Sequence, residues 1–473
     1  MENNSIRLMA ERLLKVLLAL VVVACLVYVF ASCESFTEVE LPKDQLTTNA
    51  VFEDKATADA AMLSFFAKMR DIGLFSGSQS GSAPYYLANY ADEMDFYGDA
   101  LGATTFFYNN ALIAANTEVK TIWDASYNQV YAANAVLEGV GASVSLAQAD
   151  RNRLTGEALF ARALIHFTLA NVFGDVPYVK VTDYNVTRSV PRMPVQEVYA
   201  NCVQDLLASA ELLQDSYLPA NRTRPNKFAA RAVLARVYLY AGLYNEASNE
   251  ASAVINNVAL YSNAANLSQT FLADSPATIW QLSPSTPGGN TQEALTYVFD
   301  FGPPTLSGLR QDFMEGFEAG DQRLPNWTRA VTDGTTTWYH PYKYKVNTDT
   351  GMAQENSIML RLPEMYLIRA EARAHTSDFI GTQDDLNVIR NLAGLGNTTA
   401  NTQEALLLAV LQERRSEFFT ELGHRFFDLK RLGAVQQRLG SVKPGWDSHD
   451  VVFPIPEKEL ELNPNLSPQN PGY

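Results

Sequence analysis

Four groups of aromatic side chains interleaved with polar ones offer this chain its most usable chemistry. The first is Tyr85, Tyr86, Tyr90, Asp95, Phe96 and Tyr97, and the second is Phe106, Phe107, Tyr108 and Asn109. The third is Tyr297, Phe299 and Phe301, and the fourth is Trp338, Tyr339 and His340. A flat aromatic face beside hydrogen-bonding groups suits a ligand with an apolar C–H face and a polar rim, as a sugar ring has. The candidate ligand-binding residues are therefore Tyr85, Tyr86, Tyr90, Asp95, Tyr97, Phe107, Tyr108, Tyr297, Trp338 and Tyr339. For each, the alternative is a ring folded onto the core or one that touches a partner protein.

Catalytic spacing is missing. There is no Gly-x-x-x-x-Gly-Lys phosphate loop, no Gly-x-Gly-x-x-Gly after a strand and no His-Glu-x-x-His. Gly77-Ser78-Gln79-Ser80-Gly81 has Gln where the nucleophile of a Gly-x-Ser-x-Gly elbow would sit. The five histidines are far apart, and no Asp-x-Asp-x-Asp-Gly calcium loop is present. No metal, no cofactor and no enzymatic activity are expected. A glycoside hydrolase needs only two carboxylates, so sequence leaves that alternative open.

The elements that must position the aromatic groups come from an ordinary globular composition. The chain has 473 residues, 47% hydrophobic and 19% charged, which suits a core-forming protein. A net charge of −16 with no basic patch argues against nucleic acid as a partner. Arg7, Arg12 and Lys15 precede an apolar run from Val16 to Ala31, which reads as a lipoprotein signal peptide over 1–32. Small residues before Cys33 make it the expected lipidation site, with Cys25 as the alternative, and 33–50 a lipidated tether. Cys202 is expected to be a small core residue.

Residues 51–473 are expected to form a single, mostly α-helical domain. Ala158, Ala161, Ile165, Leu169 and Val172 share a face at 3.6 spacing, and Gly174 ends that helix. The stretches 194–214, 228–241, 358–375, 382–393 and 402–421 also read as helices. Small residues at facing positions suggest antiparallel helix pairs, tetratricopeptide-like (TPR-like), over about 120–257 and 358–421. Between them, about 258–350 reads as a loop-rich insertion with few short strands, one of them at 296–301. The segment from Tyr85 to Tyr108 reads as loop.

Several segments together are distinctive. They include Trp123-Asp124-Ala125-Ser126-Tyr127 and Phe173-Gly174-Asp175-Val176-Pro177. Further along come Arg361-Leu362-Pro363-Glu364-Met365-Tyr366, Glu413-Arg414-Arg415-Ser416-Glu417-Phe418 and Gly423-His424-Arg425-Phe426-Phe427-Asp428. In this the chain resembles the SusD/RagB family of outer-membrane nutrient-binding lipoproteins. The resemblance implies a TPR-like scaffold, a lipid anchor facing the cell exterior, and a SusC-like TonB-dependent β-barrel transporter as partner. It implies capture of an oligomer, most often an oligosaccharide and sometimes a peptide, beneath a hinged lid. A scaffolding lipoprotein without a small ligand is the alternative.

The charged motifs read as structural. Glu364, Arg369, Glu371, Glu413, Arg414 and Glu417 are expected to form helix-packing ion pairs, since buried charges must be paired. His424 to Asp428 is expected to be a packed corner, Asp321-Gln322-Arg323 a structural turn, and Trp123 and Trp280 core.

Overall fold

The computed structural model describes residues 7, 9–21 and 51–473, apart from 287, 349, 350, 353 and 444. The chain divides into two units, 1–50 and 51–473. In the first, 9–21 are helical, and among the described residues no helix is long and apolar enough to cross a membrane. Cys25, Cys33 and the tether lie outside the described residues.

The second unit begins with α1 (Lys55–Asp71), α2 (Ala83–Tyr90), β1 (Met94–Phe96) and α3 (Ala103–Tyr108). The long α4 (Thr117–Ala142) and α5 (Gln148–Phe173) follow, then α6 (Tyr184–Thr187), α7 (Val195–Leu212), α8 (Lys227–Tyr240) and α9 (Tyr244–Ile255). The insertion holds β2 (Thr278–Leu282), α10 (Gln292–Tyr297), β3 (Ser307–Leu309), α11 (Gln311–Met314), α12 (Arg323–Trp327), β4 (Thr328–Thr332), β5 (Thr337–Pro341) and β6 (Ser357–Arg361). Helices return with α13 (Leu362–His375), α14 (Phe379–Leu392), α15 (Gln403–Phe418), α16 (His424–Arg431), α17 (Val435–Val442) and α18 (Glu457–Leu462).

Each long helix starts and stops for local reasons. Side chains of Asp54, Asn116, Asn226 and Thr402 accept backbone N–H groups at the starts of α1, α4, α8 and α15. Gly174 ends α5 at a φ of +78°, where a Cβ would be strained. The helices then pack in succession: α4 on α5, α5 on α7, α7 on α8, α8 on α9, α9 on α13, and α13 on α14 and α15. Each touches mainly its neighbours, as in a solenoid. The insertion interrupts this stack between α9 and α13. Trp280 and Trp123 are core residues, with Trp280 meeting Phe66 and Phe160 edge-on at 5.7 and 4.9 Å. Cys202 is fully buried.

Two antiparallel sheets complete the unit. One pairs β2 with β6, and the other has the order β1-β3-β5-β4. Three expectations are corrected here. Residues 85–108 form α2, β1 and α3 rather than a loop. Residues 296–301 are not a strand, because α10 runs to Tyr297. The helix expected from 358 starts at Leu362; Ser357–Arg361 is a buried run that pairs with β2, and Pro363 in the first turn sets the start of α13.

Candidate functional site

The four-stranded sheet gathers much of the aromatic chemistry. Its register sets Met94 opposite Leu309, Leu309 opposite Tyr339, and Ala330 opposite Tyr339. Those residues share one face, and Tyr339 packs there against the core. Alternation places Asp95, Gly308 and Trp338 on the other face. Gly302 leaves room for a ring on this surface, and the Tyr97 ring lies beside Gly308. A Cβ on Gly302 would stand 2.2 Å from the Trp338 ring, and one on Gly308 would stand 3.4 Å from the Tyr97 ring. Tyr97 is 41% exposed, Phe106 40% and Phe301 86%, while Trp338 is half-buried.

Polar groups sit beside these rings in a connected chain. The Tyr108 hydroxyl donates to Asp95 at 3.1 Å, and Arg310 donates to Asp95 and to Asp312 at 2.9 Å each. Arg438 from α17 donates to Asp312 at 2.9 Å and also reaches Asp92. Asp92 receives two bonds from Arg425 of α16, at 2.7 and 2.8 Å. Burial, reinforced by the Asp95 carboxylate, pushes the Tyr108 phenol up to about 12. Lys443 closes the group, with its ammonium 4.1 Å from the Tyr108 ring centre and 2.6 Å from the Asn89 carbonyl. Burial, then the nearby Arg310 charge, lowers Lys443 to about 7.

The structure therefore divides the ten candidate aromatic and acidic positions. Asp95, Tyr97, Tyr108 and Trp338 come together at the accessible face, and Tyr339 lies at its edge on the core side. Tyr85, Tyr86, Tyr90, Phe107 and Tyr297 are corrected to core positions, each at most 5% exposed. All eight residues of α2 are buried, so its tyrosines point into packing on every side. Tyr86 stacks on Phe107 at 4.1 Å, Tyr90 meets Phe426 and Phe453 edge-on, and Tyr85 lies 6.1 Å from Tyr297. His340 is buried against Phe299. Sequence reasoning missed Arg310, Asp312, Arg438 and Lys443. No local pattern marks them, because their partners lie up to 354 residues away.

A second network fixes the insertion to the helices. Arg323 of α12 is 2.7 Å from Asp321, 2.6 Å from Glu413 and 3.1 Å from Glu417. Arg361 pairs with Glu417 and Glu421, and Lys343 donates to the carbonyls of Glu417 and Phe419 at 2.7 and 2.9 Å. Elsewhere Arg236 holds Glu364, Arg369 holds Asp385, Arg431 holds Glu371, and Arg414 holds Asp428. The charged motifs are thus paired between elements, as expected, and His424 to Asp428 is a buried corner.

The architecture is a stack of helix pairs interrupted by an insertion that carries a small aromatic sheet. Residues 53–239 match the family described as starch-binding and associating with the outer membrane, and 320–473 match the SusD family. The chain belongs to the SusD/RagB family. SusD-like protein P2 of Formosa agariphila is 28% identical over 427 residues, covering 76% of this chain and 81% of that one. A SusD-like protein of Bacteroides fragilis has the same fold, with a TM-score of 0.77 and 21% identity, covering 92% of this chain and 100% of the other. A laminarin-binding SusD-like protein also shares it, with a TM-score of 0.75 and 22% identity over 88% of this chain and 99% of that one.

Proposed function

We propose that this chain is a lipid-anchored glycan-binding protein of the cell surface. Attached through Cys33, it captures an oligosaccharide and delivers it, as a hinged lid, to a SusC-like TonB-dependent β-barrel. The observation that carries this reading is the accessible sheet face. There Tyr97 and Trp338 offer ring surfaces, and Asp95, Tyr108 and Arg310 offer fixed acceptors and donors beside them. Sugar C–H faces cover the rings while hydroxyls meet the rim. The face holds ligand without turning it over: its carboxylates, Asp95 and Asp312, both lie against Arg310 rather than standing free to move a proton. Family membership supports the membrane location and the transporter partner, and the laminarin-binding relative makes laminarin oligosaccharides the first probe.

Calorimetry of the full chain in detergent against an oligosaccharide and peptide panel tests the reading. Binding to one glycan class is expected, weakened by at least about tenfold in a Tyr97→Ala/Trp338→Ala double variant. Binding unchanged in both affinity and stoichiometry in the variant rejects this face. Binding to peptides alone replaces glycan with peptide, and binding to nothing favours a scaffolding role.

A further inference from the structure

A second concave surface lies on the helical scaffold and shares no residue with the sheet face. It is a groove of about 450 Å³ between α4, the segment 177–188 and α18. Trp123, Tyr127 and Tyr131 follow one another at four-residue spacing along its α4 wall. That spacing stacks side chains along one helix face with a rise of about 6 Å per step, close to the length of one pyranose unit. Trp123 is the buried base of this ladder, and Tyr131, at 56% exposure, is its open end. Tyr184, 71% exposed, also lines the groove.

The polar inventory narrows what fits. The Tyr127 hydroxyl is committed to the Pro177 carbonyl at 3.0 Å. Lys120 bridges Asp124 and Glu459 at 2.6 and 3.4 Å, joining α4 to α18 at one end. By contrast, the Asn128 amide, the Arg188 guanidinium and the hydroxyls of Tyr131 and Tyr184 have no hydrogen-bond partner among the described residues. Arg188 lies 5.9 Å from the Tyr184 ring centre. Both carboxylates of the groove, Asp124 and Glu459, pair with Lys120, and Arg188 adds one further positive charge, so the groove carries no strong charge of either sign. Its size falls in the range of small-ligand sites, roughly 300–1,000 Å³. A membrane surface or an acidic polymer would meet no excess of positive charge here. A neutral molecule with apolar faces and many hydroxyls would meet rings, an amide and a guanidinium.

We infer that the groove between α4, residues 177–188 and α18 is a second oligosaccharide site, specific for neutral sugars and built on Tyr131, Tyr184, Asn128 and Arg188. The inference rests on the proposed function in taking glycan as the ligand, and adds to it a site of its own. Calorimetry of the full chain in detergent with laminarihexaose, maltohexaose and cellohexaose tests it. The wild-type chain is expected to take two equivalents of the hexasaccharide it prefers. A Tyr131→Ala/Tyr184→Ala variant is expected to take one, and so is Tyr97→Ala/Trp338→Ala, each with an unchanged thermal midpoint. An Asn128→Ala variant, which leaves every ring in place, is expected to weaken only the groove by a few-fold. Unaltered stoichiometry in the Tyr131→Ala/Tyr184→Ala variant overturns the groove site and leaves the sheet-face function standing. No binding by the wild-type chain overturns both. A dimer in sedimentation that the same variant dissociates assigns the groove to a second copy of the chain, and overturns the sugar site.

Discussion

Arg323 and Arg310 belong to the same insertion, and each lies among carboxylates. At the junction with α15, Arg323 is 1% exposed and its partners Asp321, Glu413 and Glu417 are all buried with it. On the sheet face, the Arg310 side chain is 16% exposed, and Asp95 and Asp312 are 31% and 36% exposed. The first set is closed: it fixes where the insertion sits and leaves nothing for a ligand. The second is half open, so its groups keep hydrogen-bonding capacity that water or a sugar hydroxyl takes up. Identical residue types thus serve as a fastener in one place and a rim in the other, and burial decides which.

The largest effect expected from breaking this contrast is at the fastener. Arg323→Met leaves three buried carboxylates short of a counter-charge, and should cost about 3–5 kcal/mol in denaturant unfolding. Its exposed counterpart is Arg329, 3.8 Å from Asp300 with side chains 48% and 56% exposed. Arg329→Ala should stay within about 0.5 kcal/mol of wild type. Equal losses in the two variants would mean that the junction network is no more than surface charge.

The next effect sharpens the comparison from the side of the rim. Gly302→Val places a Cβ against the Trp338 ring, so the ring must leave the face although no ligand-touching residue has changed. Affinity for the preferred oligosaccharide should fall by about tenfold, with far less loss of stability than in Arg323→Met. Full affinity in Gly302→Val would remove Trp338 from the site.

The contrast also explains what could be read in the sequence. The helices were legible because α5 and α8 carry apolar periodicity and a following glycine stop, Gly174 and Gly242, within a single stretch. The ion pairs were legible in kind, because charges inside apolar helical segments must find partners. The sheet was not, since β1 and β3 have three residues each and meet across more than 200 positions. The site was half legible for a related reason. Alternating aromatic and polar residues announce ring surfaces, but α2 packs all its residues inward, whereas β1 and β5 leave Asp95 and Trp338 only partly buried. Only the fold separates Tyr86 from Tyr97.

Lys443 lies where the two regimes meet, and yields the smallest and most specific effect. Its ammonium is nearly buried, yet it belongs to the rim beside Tyr108. Burial and then Arg310 lower its pKa from the usual 10.5 to about 7, while the Tyr108 ring face favours the charged form. Between about pH 7 and 10.5 the unfolded chain therefore holds a proton that the folded chain has released. Stability from this group rises with pH across that window and is lost as pH falls through 7. Lys343 and Lys430, each lowered to about 8 by burial, act in the same direction above pH 8, while Glu93, raised to about 8 by burial, acts in the opposite direction below it, so the comparison of variant with wild type is what isolates Lys443. The stability of wild type relative to Lys443→Met should rise with pH, by at most about 1.4 kcal/mol per pH unit. Urea unfolding at pH 6.5, 7.5 and 8.5 measures it. A difference that stays flat would mean that Lys443 keeps its proton in the folded state, held by the Tyr108 ring and the Asp95 carboxylate. The rim would then carry a fixed positive charge at the pH where ligand binds.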